Sequence, residues 1–188
     1  MSRPGSSPAD AALILKRLRV PANVRRHSVR VRRKALFLAK RIAARGKRVD
    51  LRLVSDGALL HDAGRVETHG LAHGVAGAKI LRELGAGERL AGTGGITKAE
   101  TRRLARICET HVLGGITRAE ARRLGLPAKD YLPRTIEEKI VCAADKLAEG
   151  RAKFRRIAHH VGKRSVLYKR MLRLISEVEA AAGIRRSF

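Results

Sequence analysis

The sequence predicts an all-α fold, and three observations carry that expectation. Strand-like alternation appears at no useful length, whereas apolar residues recur at the three- and four-residue spacing of a helix face. Thr-x-x-Glu, the signature of a reciprocal helix N-cap, occurs at Thr97 and Glu100, at Thr117 and Glu120, and at Thr135 and Glu138. Pro21, Gly46 and Gly150 interrupt the pattern as helix boundaries.

Taken in order, Ser7-Pro8-Ala9-Asp10 opens a first helix that runs to about Leu18, with Pro at the first turn and an acid at the third position. Pro21 breaks the chain, and a long helix follows from about residue 24 to 44. Within it His27, Val31, Ala35, Leu38 and Ile42 share one face, so His27 points to the core side. No carboxylate occurs between Asp10 and Asp50, while Arg25, Arg26, Arg30, Arg32, Arg33, Lys34, Lys40 and Arg41 make the solvent face strongly cationic. The next helix carries Leu53, Val54, Ala58 and Leu59 and then His61 and Asp62, with Gly64 expected to end it. Residues 67–70 read as a loop. A helix starting at His73 has small residues, Gly77 and Ala78 among them, that permit close packing near His61 and Asp62.

An internal echo follows: Gly94-Gly95-Ile96-Thr97-Lys98-Ala99-Glu100 and Gly114-Gly115-Ile116-Thr117-Arg118-Ala119-Glu120. The first is expected to open a helix with Leu104, Ile107, Cys108 and His111 on one face, the second a short helix closed by Gly125 and Pro127. Thr135 opens another, in which Asp145 shares the buried face of Val141 and Cys142. A carboxylate there is expensive unless something positive meets it. Beyond Gly150 the chain is basic again, and a final amphipathic helix from about 165 to 182 offers Val166, Met171, Leu174, Ile175 and Val178 for packing. The expected organisation is a flexible terminus (1–8), a helical core (9–150) and a basic C-terminal helical extension (151–188) packed on that core.

Composition bounds the function. At 188 residues and 44% hydrophobic content the chain can bury a core for one domain. A formal net charge of +25 exceeds what solubility requires and draws polyanions, nucleic acid first among them. Aromatic content of 3% gives little support to a platform for stacking bases. Cys108 and Cys142 read as small core hydrophobes, not as a disulfide or zinc knuckle. No apolar run reaches the length of a membrane span, and the first residues lack the apolar centre of a signal peptide, so a cytoplasmic protein is expected.

Five helices or helix ends each bring a potential ligand: His27, the pair His61 and Asp62, His73, His111, and Asp145. Imidazoles and carboxylates suit one or two divalent ions such as Fe, Mn, Zn, Co or Mg. His27-Ser28-Val29 early in a long helix, then Ala58-Leu59-Leu60-His61-Asp62-Ala63-Gly64, then Ala143-Ala144-Asp145-Lys146-Leu147, resembles the HD-domain metal-dependent phosphohydrolase superfamily over residues 24–147. The resemblance implies an HD helical bundle in which His27, His61, Asp62 and Asp145 ligate a divalent cation and His61 and Asp62 are the catalytic pair. In two-metal members two further histidines join them, and His73 and His111 look like those two. The pattern is similar to small HD hydrolases that include a symmetrical diadenosine tetraphosphatase, and to archaeal proteins of this size. His69, in Thr68-His69-Gly70, competes with His73 as a ligand or faces substrate.

Departures narrow the resemblance. Arg65 stands where Lys often follows His-Asp-x-Gly, which keeps a phosphate-binding charge with altered geometry. No Gly-Tyr-Pro motif accompanies the pair, and Val66-Glu67 stands where the guanosine-polyphosphate branch has Glu-Asp, so both it and the cyclic-dinucleotide branch are disfavoured. The implied chemistry is attack of a metal-activated water on phosphorus, with ions about 3.5–4 Å apart sharing Asp62. Arg26, Arg65 and Lys146 adjoin the ligands and are candidates for phosphate binding, with ordinary surface solvation as the competing reading. The expected function is hydrolysis of a phosphoester of a nucleotide or nucleic acid. The alternative is an RNA-binding or ribosome-associated protein on the same scaffold, binding through residues such as Arg32, Arg33 and Lys40.

Overall fold

A computed structural model describes residues 8–86, 97–150, 159, 162 and 165–184. Among these residues the fold is all-α, with eight helices: α1 (Pro8–Arg17), α2 (Ala22–Ala44), α3 (Leu51–Leu60), α4 (His73–Ala86), α5 (Lys98–Thr110), α6 (Arg118–Arg123), α7 (Ile136–Leu147) and α8 (Val166–Ala181). Two single 3-10 turns, Ala63–Val66 and Val112–Gly114, connect them near the centre. Residues 1–7 of the expected flexible terminus, residues 94–96 of the echo and most of the basic stretch 151–164 lie outside the described residues, whereas Pro8 already belongs to α1.

The bundle is built around α3. Every side chain from Leu53 to Leu60 is buried, a pattern that a helix tolerates only at the centre of a bundle. Asp50 caps it, its Oδ1 accepting from the Leu53 amide at 2.9 Å. Around α3 pack α1, α2, α5 and α7, and α4 lies along α5. The face that the spacing of α2 predicts, His27, Val31, Ala35, Leu38 and Ile42, is buried, and Val24, Ser28 and Ala39 are buried with it. Met171, Ile175 and Val178 bring α8 into the same apolar cluster together with Ala182 just past its end, and Leu174 is also buried. Val166, expected to pack, is instead 72% exposed, because it sits at the first turn before α8 reaches the bundle.

Both echoed N-termini form complete capping boxes, Thr97 with Glu100 and Thr117 with Glu120. The third does not. Thr135 Oγ1 accepts from the Glu138 amide at 3.2 Å, but Glu138 Oε2 accepts from the Arg134 amide at 3.0 Å and lies 3.4 Å from Arg106 Nη2. A buried carboxylate is drawn to the nearby guanidinium rather than back to its own cap.

Two local departures shape the centre. Helix α3 stops at Leu60, so His61 and Asp62 lie just past its end rather than within it. Gly64 does not end the helix. It sits in the following turn, where a Cβ would fall 2.0 Å from the His73 carbonyl oxygen and 2.4 Å from the Gly77 amide nitrogen. Only a residue without a side chain lets that turn lie against the start of α4.

Candidate metal centre

Each ligand candidate stands at an element end or faces the bundle axis, so the packing of α3 at the centre brings them together. His27 comes from the second turn of α2, His61 and Asp62 from the end of α3, and His73 from the start of α4. His111 follows α5, and Asp145 lies in the last turns of α7. Asp62 is at the middle: its Oδ1 is 3.1 Å from His73 Nε2 and 3.5 Å from His111 Nε2, and its Oδ2 is 3.7 Å from His61 Nε2 and 4.0 Å from His27 Nε2. Asp145 Oδ1 lies 2.9 Å from His27 Nε2 and 3.8 Å from His61 Nε2.

The outward side of every imidazole is fixed by a backing partner. His61, His73 and His111 each set Nδ1 on the carbonyl three residues earlier, at Ala58 (2.8 Å), Gly70 (2.6 Å) and Cys108 (2.8 Å). A carbonyl only accepts, so Nδ1 carries the proton and Nε2 presents a lone pair to the centre. His27 sets Nδ1 on Glu149 Oε1 at 2.7 Å. His61 Nε2 is fully buried without a hydrogen-bond partner, and His73 Nε2 faces His111 Nε2 at 3.0 Å. An orphaned buried nitrogen and two opposed lone pairs are costly in a closed protein and suit a cation between them.

Charge states agree with this. Burial lowers the imidazole of His61 and takes that of His111 down to about 4, against the pull of the neighbouring carboxylates. Burial opposes ionisation of Asp62, yet His61, His111 and His73 hold it far below the usual carboxylate range. Asp145 is also held low against burial, chiefly by Lys146 and then His27. Neutral imidazoles and ionised carboxylates are the forms in which these groups bind metal. Three overlapping groups have ligand atoms within 4.8 Å of one another: His27, His61 and Asp62; His61, His111 and Asp145; and Asp62, His73 and His111.

His27, Asp62, His73, His111 and Asp145 floor a cleft of about 540 Å³ whose walls include Arg30, Arg65, His69, Leu71, Lys146 and Glu149, and His61 is buried behind them. Arg65 Nε approaches Asp62 Oδ1 at 3.3 Å and its Nη1 donates to the His69 carbonyl at 2.5 Å. His69 is exposed on the rim, whereas His73 reaches the centre. Lys146 is buried, bonded to Asp145 Oδ2 and, at 3.2 Å, to the His111 carbonyl. Arg26 is not brought to the cleft. One residue before His27 its side chain turns about 100° away along the helix, and Arg30, three residues after His27, takes the expected position. Arg32 is likewise redirected: its Nε donates to Ser55 Oγ at 2.8 Å, tying α2 to α3, while Arg33 and Lys40 remain exposed. Arg30 and Glu149, bonded to each other at 3.0 Å, are the wall residues that the sequence pattern does not single out. Their signal is spacing, Arg30 following His27 by three and Glu149 following Asp145 by four. His159 is exposed.

A helical bundle that gathers a His-Asp pair, three further histidines and a late aspartate beside one cleft, in groups that could hold a metal ion, is of the HD type. The family model for the HD domain matches residues 24–150, and the chain belongs to that family. An uncharacterized protein of Methanocaldococcus jannaschii is 43% identical over 174 residues, covering 89% of this chain and 94% of that protein. Two proteins named tRNA (cytidine(56)-2'-O)-methyltransferase are also similar. The one from Picrophilus torridus is 43% identical over 98 residues, 52% of this chain, and the one from Thermoplasma volcanium 37% over 142 residues, 74% of this chain. The chain matches 25% and 36% of the length of those two methyltransferases. No solved structure matches the chain. Among the described residues no helix is long and apolar enough to cross a membrane.

Proposed function

We propose that the protein is a metal-dependent phosphohydrolase acting on a phosphoester of a nucleotide or nucleic acid. The observation that carries this reading is the buried, unpartnered His61 Nε2, which lies behind Asp62 and Asp145, themselves part of the lining of an open cleft that also carries Arg30, Arg65 and Lys146. His27, His61, Asp62 and Asp145 would hold a divalent ion, with Asp62, His73 and His111 offering a second position. A divalent cation bound there supplies charge for the phosphoryl oxygens and a water of lowered pKa. The chain's own contribution is positioning. Arg30 and Arg65 are anchored, to Glu149 and to the His69 carbonyl, so their charge is fixed at the wall before a phosphate arrives. Lys146 keeps Asp145 ionised, and His69 on the rim is placed to meet the part of the substrate that extends outward. Metal analysis of purified protein, with hydrolysis of bis(p-nitrophenyl) phosphate and a panel of nucleotides, tests the reading. His61→Ala and Asp62→Ala should lose both metal and hydrolysis; retention of both properties in either variant rules the reading out.

A second reading is favoured by charge and by relatives. The net charge of +25, and similarity to segments of two proteins named as tRNA methyltransferases, support RNA as a partner. Binding to RNA that weakens steeply with salt and survives His61→Ala would establish it separately from hydrolysis.

A further inference from the structure

The exposed side of α2 carries a feature that the metal centre does not use. Beside the cleft lies a second, open cavity of about 410 Å³, lined by Ala22, Arg25, Arg26, Val29, Arg30 and Arg33. Four arginine side chains line it together with the apolar Ala22 and Val29, Val29 being 43% exposed. Arg30 lines both cavities, so they are neighbours on α2. Further along the same side stands Phe37, 49% exposed, with Lys34 Nζ 5.4 Å and the Arg41 guanidinium 5.9 Å from its ring centre. Arg26, Arg30, Lys34, Phe37 and Arg41 follow one another at four-, four-, three- and four-residue steps, one stripe down the helix. Arg41 is anchored to the carbonyls of Ala182 and Gly183, and Arg30 to Glu149, while Arg26, Arg33 and Lys34 have no carboxylate partner among the described residues. With no acid in the sequence between Asp10 and Asp50, the charge of the stripe is offset among the described residues only at Arg30, by Glu149.

We propose that this stripe is a binding track for single-stranded nucleic acid, with a base stacked on Phe37 and the backbone running through the arginine-lined cavity to the cleft. Charge complementarity selects a polyanion, and the geometry selects a strand. Phosphates match the guanidinium groups, and the apolar floor and the exposed ring match bases that are unpaired. A paired base has both faces stacked in its helix and cannot cover Phe37. That the backbone runs on to the cleft rests on the hydrolase reading above; the track itself does not.

The test is fluorescence anisotropy with labelled 12-mers of oligo(U), oligo(dT) and a duplex of equal length, using the full chain and confirming each oligonucleotide intact on a gel. Single strands of either sugar should bind more tightly than the duplex. Phe37→Ala and Phe37→Leu should each weaken strand binding by about 5- to 150-fold without changing its salt slope, and Phe37→Trp should restore it. Arg33→Glu with Lys34→Glu should lower the slope of log K against log salt by about 1.4, two single-strand phosphate contacts. All three positions are surface residues, and circular dichroism confirms that the variants fold. Equal affinity for strand and duplex, or unchanged binding in the Phe37 variants, overturns the proposal. Because anisotropy reads binding and not turnover, loss of the hydrolase reading would leave this result standing, and the reverse holds too.

Discussion

His73 and His111 meet with their Nε2 atoms 3.0 Å apart, each having its Nδ1 already on a backbone carbonyl. As neutral imidazoles neither ring can donate to the other without giving up its backing bond, so the pair calls for a positive charge between them, a proton or a metal ion. A divalent cation meets that need without a tautomer change, and whatever binds the folded state alone stabilises it. Mn²⁺ at about 100 times its dissociation constant should raise stability by about 2.7 kcal/mol over the protein in EDTA. Thermal unfolding followed by circular dichroism measures the shift. His111→Ala should reduce it, and a shift equal to that of the parent would remove His111 from the ligand set.

Acid should unfold the metal-free protein in two stages. Burial places the His111 imidazole at about 4 and lowers that of His61, while in the unfolded chain both titrate near 6.5. Between those values the unfolded chain binds protons that the folded chain refuses, so stability falls as pH drops from about 6.5 towards 4. Asp62 and Asp145, held low in the fold, extend the loss below about 4, where carboxylates of the unfolded chain protonate. His111→Gln should flatten the upper stage in a pH series of urea midpoints and leave the lower one. An unchanged upper stage would mean that His111 is not held neutral by burial.

Gly64→Ala should damage the centre although Gly64 is no ligand. The added carbon would meet the His73 carbonyl oxygen and the Gly77 amide at distances no real contact reaches. The turn after Asp62 must then move off α4, which separates Asp62 from His73. Overpacking of this kind costs about 1–3 kcal/mol, and metal content should fall with stability. A Gly64→Ala protein with full metal content and parental melting would show that the close approach is dispensable.

What the sequence makes legible follows from how local each signal is. Helix positions, the buried stripe of α2 and the caps at Thr97 and Thr117 depend on neighbours within four residues, and they stand where the spacing puts them. His27, His61, Asp62, His73, His111 and Asp145 are legible as a set because residue type marks them, and packing gathers them. The unread features depend on distant partners. Glu138 leaves its cap for Arg106, 32 residues earlier, and Glu149 backs a histidine 122 residues earlier. Gly64 reads as a helix stop because glycine commonly is one, and only the approach of α4 reveals its other use.

Lys146 and a bound cation should substitute for one another at Asp145. The ammonium is buried and bonded to Asp145 Oδ2, and burial alone would discharge it were the carboxylate not there to hold it charged. Lys146→Met removes that charge while keeping an unbranched stem of similar length. Asp145 then retains His27 as its partner, and the His111 carbonyl retains the Cys142 thiol at 3.2 Å. Breaking a buried pair costs about 3–5 kcal/mol where nothing else compensates, so the variant should be strongly destabilised in EDTA. With metal present a cation at Asp145 supplies the missing charge, and the deficit should shrink. By linkage, the stabilisation on adding Mn²⁺ must then be larger in Lys146→Met than in the parent. Melting both proteins with and without Mn²⁺ closes the four-state cycle. A metal-induced shift no greater in the variant would place the cation away from Asp145 and leave Lys146 with a packing role alone.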